Sequence, residues 1–326
     1  MLHNKYCSYY PGRPVGSVAS LAKSLNIDEQ ELIRIANNSG KFWRPGKMLQ
    51  KKDGQPRPTH NSVDPLKKIQ RRIKNVFLVK VEYPFYILGG ISSDMQNKRG
   101  YLENASLHRN SKILFSEDVK DFFPSTNYSM IHSVWTGVFH FHPDVADVLT
   151  KLTTYDNCLP QGWVTSSHLA NLALWKHEPS VVADLNKRGF TYGRFVDDIG
   201  ISTKKYTNNQ VKTFVVGALV GMFSRCGYRV KRKKHSIATQ SGSSDENRKM
   251  RIHNLNVNTR RVTVPKKRRN FIRSAVFRCE SIGKSLRHTD EYRTQWKSAS
   301  GLVSSIITLH PREAEKLRIR LSDCKD

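Results

Sequence analysis

Two acidic side chains stand between two short apolar runs in Thr191-Tyr-Gly-Arg-Phe-Val-Asp-Asp-Ile-Gly-Ile-Ser202. Phe195 and Val196 precede Asp197 and Asp198, and Ile199 and Ile201 follow, so the spacing predicts two strands joined by a tight acidic turn. Paired Asp residues in a turn are commonly ordinary solvated turn chemistry, since Asp tolerates the backbone angles required. A third acid changes the reading. In Lys112-Ile-Leu-Phe-Ser-Glu-Asp-Val-Lys-Asp-Phe-Phe123 another apolar strand runs into an acidic end led by Asp118. Asp118, Asp197 and Asp198 on adjacent strand ends could hold two divalent cations, because Mg2+ favours a few carboxylates plus substrate phosphates over a full protein cage. Two such ions about 3.5–4 Å apart stabilise the attacking and the leaving oxygen of an in-line phosphoryl displacement. The expected chemistry is that of a nucleotide polymerase or a nuclease, and the acids alone admit both.

The surface around such a site is strongly basic. Lys and Arg outnumber Asp and Glu 55 to 27, which leaves the 326-residue chain at +28, with a pI near 10.1. At 38% hydrophobic residues it reads as a folded body of two or three subdomains, not a disordered basic tail. The excess predicts a polyanionic partner and salt-sensitive binding. No basic amphipathic helix with a continuous apolar face supports a membrane-surface role. The most apolar run, Phe214 to Phe223, is too short to span a bilayer. Cys7, Cys158, Cys226, Cys279 and Cys324 are scattered with no C-x-x-C pair, which argues against zinc and against a disulfide framework. Met1 to Cys7 lacks the apolar core of a signal peptide, and the expectation is a cytoplasmic protein.

The elements that must position the acids follow from periodicity. Ser17 to Asn38 predicts two helices, with Leu21, Ala22 and Leu25 on one face and Asp28 with Glu31 as a capping box. The first of them resembles half of a helix-turn-helix, but no basic recognition face follows in the second. Trp43 to Thr59 predicts a basic hairpin turning at Lys51-Lys-Asp-Gly54, where Lys51, Lys52 and Arg57 either meet phosphates or are simply solvated. Asp64 to Phe77 reads as an amphipathic helix and Tyr128 to Leu152 as a helical pair. Between Cys158 and Ser167 a Pro-Gln-Gly turn would let the backbone approach a flat ligand, because Gly162 carries no side chain. Helix resumes through Leu169, Leu172 and Trp175, and again over Asn208 to Cys226. Tyr228 to Ile237 is strand-like and basic, and Ile252 to Asn258 alternates, with Arg260 to Thr263 as its hairpin partner. Pro265 to Asp326 predicts a helical bundle with Phe271, Val276, Phe277, Ile282, Leu286, Trp296, Leu302, Ile306 and Leu309 as core and a basic outer face from Lys266.

Asp118-Val-Lys-Asp-Phe-Phe123, Leu159-Pro-Gln-Gly162, Phe195-Val-Asp-Asp198 and Lys233-Lys234 occur in that order with helical spacers. The series resembles the palm of reverse transcriptases, with Phe195 where a tyrosine usually precedes the acidic pair. Asn104-Ala-Ser-Leu-His108 resembles the N-A-x-x-H signature of retron-type bacterial reverse transcriptases. The likeness covers residues 17 to 320 and is specific through the combination. It implies an α+β right-hand polymerase with fingers, a palm built on an antiparallel sheet, and a helical thumb. The implied division is an N-terminal helical segment at 1–40, fingers at 41–110, palm with finger insertions at 111–262 and a basic thumb at 263–326.

Residue roles follow from the same resemblance. Asp118, Asp197 and Asp198 would be catalytic and hold two Mg2+ ions. Phe123 would collide with a ribose 2′-hydroxyl and select deoxynucleotides, and Gln161 and Gly162 would back the incoming nucleotide. Lys51, Lys52 and Arg57 would contact its triphosphate, and Lys234 the departing pyrophosphate, with Lys233 beside it. Asn104, His108, Lys233, Lys266, Lys267, Arg268 and Arg269 would meet nucleic acid, and His253 and Asn254 would belong to a primer grip. The implied function is copying of a cognate structured noncoding RNA into multicopy single-stranded DNA (msDNA), in anti-phage defence. The implied partners are that RNA, its hybrid with the cDNA product, deoxynucleoside triphosphates and a toxin or effector encoded nearby. Two departures stand out: Ile252-His253-Asn254 where retron enzymes usually carry Val-Thr-Gly, and Trp163-Val-Thr-Ser-Ser-His168 where Ala-Pro-Thr-Ser-Pro often follows Gln-Gly. They leave room for a defence-associated reverse transcriptase without branched priming. A catalytically silent RNA-binding protein is the alternative of a different class, opposed by the intact acidic triplet.

Overall fold

Short capped helices open the chain. In the computed structural model, which describes residues 5–50, 54, 56–95, 97–231, 235–240, 250–282 and 284–325, α1 (Val18–Ser24) starts on Ser17, whose hydroxyl accepts the Ser20 N–H at 3.2 Å. Asp28 caps α2 (Glu29–Asn37) through the Glu31 N–H at 3.0 Å. The expected capping box is not closed: the Glu31 carboxylate turns forward to the Arg34 guanidinium, at 2.6 and 2.7 Å. The basic segment that follows holds two nested pairings. Strands β1 (Trp43–Pro45) and β4 (His60–Ser62) form the outer one, β2 (Leu49–Gln50) and β3 (Pro56–Arg57) the inner one. Lys51, Lys52, Lys233, Lys234 and the Arg57 side chain lie outside the described residues.

Next come α3 (Leu66–Val76), α4 (Tyr101–Leu107), β5 (Ile113–Asp118), α5 (Phe122–Ser125), α6 (Tyr128–Gly137), α7 (Pro143–Thr153), α8 (Ser166–Leu172) and α9 (Glu178–Lys187). The hairpin β6 (Thr191–Phe195) and β7 (Asp198–Thr203), then α10 (Asn209–Arg225) and β8 (Ser236–Thr239), complete a four-stranded sheet in the order β6-β7-β5-β8. All three pairings are antiparallel. Period-2 alternation gives the sheet two different faces. Ile113, Phe115, Tyr192, Ile199 and Ile201 enter one core with α6 to α10. Leu114, on the other face, joins Ala105 of α4 and the C-terminal segment in a second core.

That segment contains β9 (Arg251–Ile252), β10 (Leu255–Asn256), α11 (Lys266–Glu280), α12 (Asp290–Ser304) and α13 (Pro311–Ser322). Two expectations change here. The run Ile252 to Asn258 is not one strand: it folds back on itself, pairing Ile252 with Leu255, and Thr263 bridges only to Asn256. The turn residues His253 and Asn254 both have positive φ, 50° and 62°, the signs a type I′ hairpin requires. In the bundle, Val276 and Ile306 are buried as expected, but Phe271, Phe277 and Leu286 are exposed. Ile272, Ala275 and Cys279 take the inward positions of α11 instead. No helix among the described residues is long and apolar enough to cross a membrane.

Candidate active site

Asp118 ends β5 and Asp198 begins β7, and the register sets them directly opposite each other. The Val119 N–H donates to the Asp197 carbonyl at 3.2 Å, which makes 118–198 a pair not itself hydrogen-bonded. Such pairs bring their Cα atoms to about 4.5 Å and their side chains closest. Phe195 pairs with Asp198 on the other side, so Phe195, Asp198 and Asp118 form one row across three strands, on one face. Val196 and Asp197 are the whole of the two-residue turn. Val196 has φ +60° while Asp197 does not share the positive sign, the combination of a type II′ turn, whose first position is normally Gly. A β-branched residue there costs about 1–3 kcal/mol, a strain that persists only where surroundings enforce it.

The sequence expectation of three carboxylates on adjacent strand ends therefore meets a backbone that brings the three positions together. Asp118 is 4% exposed, Asp197 is half-buried and Asp198 exposed. Among the described residues no three His, Cys, Asp or Glu side chains already converge as ligands of one ion. The donor set nevertheless suits a hard cation, since it is all carboxylate oxygen, and Mg2+ is usually completed by substrate phosphates and water instead of a finished protein cage. Beside it, Lys231 donates its N–H to the Asp118 carbonyl and Lys120 to that of Arg229, both at 2.8 Å. The start of the basic run thus lies antiparallel to the acidic strand end.

Phe123 is half-buried on α5, one tight turn beyond Asp118, and meets Phe122 edge-on with ring centroids 6.1 Å apart. Phe122 is held in turn against Tyr228. Gln161 and Gly162 dock on the basic segment: the Gln161 carbonyl accepts the His60 N–H at 2.9 Å. Gly162 has φ +106°, and a Cβ there would lie 2.9 Å from the His60 carbonyl oxygen. Only glycine fits both conditions.

Asn104 and His108, expected to face nucleic acid, are buried within the protein. His108 lies against the Gly193–Gly200 cross-strand pair; a Cβ on either glycine would be 2.9 Å from its Nε2. Its Nδ1 bonds the Ser202 hydroxyl at 2.9 Å, and burial, with His253 nearby, pushes its pKa down to about 3. Asn104 Nδ2 bonds His253 Nε2 at 2.8 Å, and the His253 ring meets Phe195 at 4.5 Å between centroids. Helix α4 thus ties the β9–β10 turn to the row of catalytic candidates. Of the basic residues on α11, Lys266, Lys267 and Arg268 are exposed, and the Arg268 guanidinium stands over Phe271. Arg269 is instead paired with Glu313 at 2.8 Å, alongside Arg273, so it braces α11 on α13.

Sequence reasoning missed a buried group beneath the turn. Arg194 is 0% exposed and forms a two-pronged ion pair with Glu178 at 2.6 and 2.9 Å. Burial pulls its pKa down, but Glu178 outweighs that and keeps it charged. The signal was available: Arg194 occupies the same inward alternation as Tyr192, where a charge demands a buried partner.

The profile of the family described as "Reverse transcriptase (RNA-dependent DNA polymerase)" matches residues 49–271. The Retron Se72 reverse transcriptase of Salmonella heidelberg is 31% identical over 96% of this chain and 81% of its own length. The Retron Ec48 reverse transcriptase of Escherichia coli is 25% identical over 96% of this chain and 77% of its own. Among solved structures, a telomerase from Candida albicans in complex with a fragment of telomeric RNA overlaps 87% of this chain and 58% of its own. Its TM-score is 0.47 at 10% identity, and it adds nothing to the assignment.

Proposed function

We propose, for a chain that belongs to the retron-type bacterial reverse transcriptases and is an RNA-directed DNA polymerase with the right-hand fold of that family, that Asp118, Asp197 and Asp198 are its reacting centre. The observation that carries this reading is the direct pairing of Asp118 with Asp198 beside the Asp197 turn. The family works with divalent metal ions; we assign two Mg2+ here, held by Asp118 and Asp197 with Asp198 completing the cluster. Bound there, they would lower the pKa of the attacking primer hydroxyl and neutralise the departing pyrophosphate. The chain's own residues do the positioning. Phe123 closes the space a ribose 2′-hydroxyl would need, and the Gln161–Gly162 turn backs the nucleotide from the side anchored on His60. Lys51, Lys52 and Arg57 meet the triphosphate and Lys234 the departing pyrophosphate, with Lys233 next to it in sequence. His253 and Asn254 carry the primer end, and exposed Lys266, Lys267 and Arg268 track the backbone of the hybrid. Residues 1–40 form a helical lead-in, 41–110 the fingers, 111–262 the palm and 263–326 the thumb.

The chain's partners are RNA and nucleotides. We propose further that the RNA is a cognate structured transcript serving as template and primer, copied into multicopy single-stranded DNA in anti-phage defence with an effector encoded nearby. The relatives, named as retron enzymes over most of their length, support this reading. The test is to purify the protein from its host and sequence the nucleic acid that accompanies it. Short DNA joined 2′–5′ to RNA is expected. Plain long cDNA would instead favour a defence-associated enzyme without branched priming, in keeping with the Ile252-His253-Asn254 departure.

A further inference from the structure

We propose that Arg194 is a positioning residue for DNA synthesis, holding the Val196–Asp197 turn in the strained form that presents the acidic pair. A guanidinium has five N–H donors, and all five of Arg194 are placed. Nε and one Nη2 hydrogen go to the Glu178 carboxylate, and the other Nη2 hydrogen goes to the Asn171 carbonyl at 2.9 Å. Nη1 bonds Asn171 Oδ1 at 3.0 Å and the Val196 carbonyl at 3.2 Å. Glu178 in the first turn of α9 and Asn171 on α8 therefore fix the fork, and the fork fixes the turn.

A buried ion pair is weak evidence of a stability role, since well-packed apolar residues commonly replace one without loss. The bond to Val196 is different in kind. The Val196 carbonyl and the Asp197 N–H share one rigid peptide plane that ends at the Asp197 Cα, so a donor that holds the carbonyl also fixes the point from which the Asp197 side chain departs. The opposite flank is clamped through the same group: Asn171 Nδ2 holds the Gly89 carbonyl at 2.7 Å. Gly89 approaches Phe195 so closely that a Cβ there would lie 2.6 Å from the ring. Arg194 thus reaches the turn directly at Val196 and, through Asn171 and Gly89, at Phe195.

The inference rests on Asp118, Asp197 and Asp198 being the reacting centre, and its test separates the two. In Arg194→Lys an ammonium keeps the charge beside Glu178 but has no planar fork to reach Val196 as well. On a primed RNA template, kcat for deoxynucleotide incorporation is expected to fall about 100-fold, the loss that a misplacement of about 1 Å brings. The half-saturating Mg2+ concentration should rise, with affinity for the primed template unchanged. Tyr192→Phe removes only the Tyr192 hydroxyl bond to Glu178, 2.7 Å long, from the same network and should keep kcat and the Mg2+ requirement. If Arg194→Lys does not fold, Arg194→Met with Glu178→Leu replaces the pair by apolar groups and is read in the same way. Wild-type kcat in a folded Arg194 variant would overturn the proposal. So would a loss matched by Tyr192→Phe with unchanged Mg2+ dependence, or failure of both Arg194 variants to fold, which would make the role structural only. Activity surviving Asp197→Ala with Asp198→Ala would instead remove the underlying site.

Discussion

With Asp197 and Asp198 both replaced by Ala, Mg2+-dependent incorporation of deoxynucleotides on an RNA template is expected to fall by at least about a thousandfold, given that one preorganised electrostatic group alone is worth 10²–10³. The physical reason is that Asp118 would remain as a single carboxylate, too few to hold the charge that develops on two oxygens of an in-line displacement. The substitutions touch neither core. Asp198 is exposed and Asp197 half-buried at a turn, so the melting temperature should hardly move. Affinity for RNA should be kept or rise, because two negative charges leave a chain of net charge +28 whose grip on phosphates is electrostatic. Filter binding and primer extension on the same preparation separate the two effects. A double variant that extends primers at the unsubstituted rate would end the assignment of this site.

Replacing Phe123 by Val is expected to relax discrimination against ribonucleotides by about two orders of magnitude, the upper range for one apolar contact in a specificity pocket. Phe123 rides on a helix of one turn whose neighbour Phe122 is locked against Tyr228 at 5.1 Å between ring centroids. The ring's position is therefore set by packing and should not drift to refill the space that Val leaves. Deoxynucleotide incorporation should change much less, since no carboxylate is disturbed. The ratio of kcat/KM for a deoxynucleotide to that for its ribonucleotide is the quantity to measure. An unchanged ratio would take the selecting role away from Phe123.

What the sequence made legible was the periodic part. Alternation placed β5 and the β6–β7 hairpin, and the acids at their ends fell opposite each other because register is set by which face is buried. Where the reading failed, the missing information was which side an element faces. Asn104 on α4 and His108 at its C-cap stand i, i+4 apart, but only the hollow left by Gly193 and Gly200 shows that they turn inward. The His253–Asn254 turn carries no glycine, so nothing in Ile252 to Asn258 announced the reversal. Phe271 and Phe277 are apolar but stand on the exposed side of α11, whose inward positions belong to the smaller Ile272, Ala275, Val276 and Cys279. Arg194 interrupts the apolar alternation of its strand, and its buried partner Glu178 lies 16 residues away on a helix, where no local pattern links the two.

The pairing of Asp118 with the acidic turn is tested most directly by locating a metal. Crystals of the complete protein with a primed RNA template and a non-reactive deoxynucleotide, soaked in Mn2+, give anomalous peaks that mark the ions. Peaks lying between the nucleotide phosphates and the carboxylates of Asp118 and Asp197, with Asp198 adjoining, are the predicted result. Mn2+ bound elsewhere along the nucleic acid, with the Asp118 carboxylate turned from it, would contradict the account.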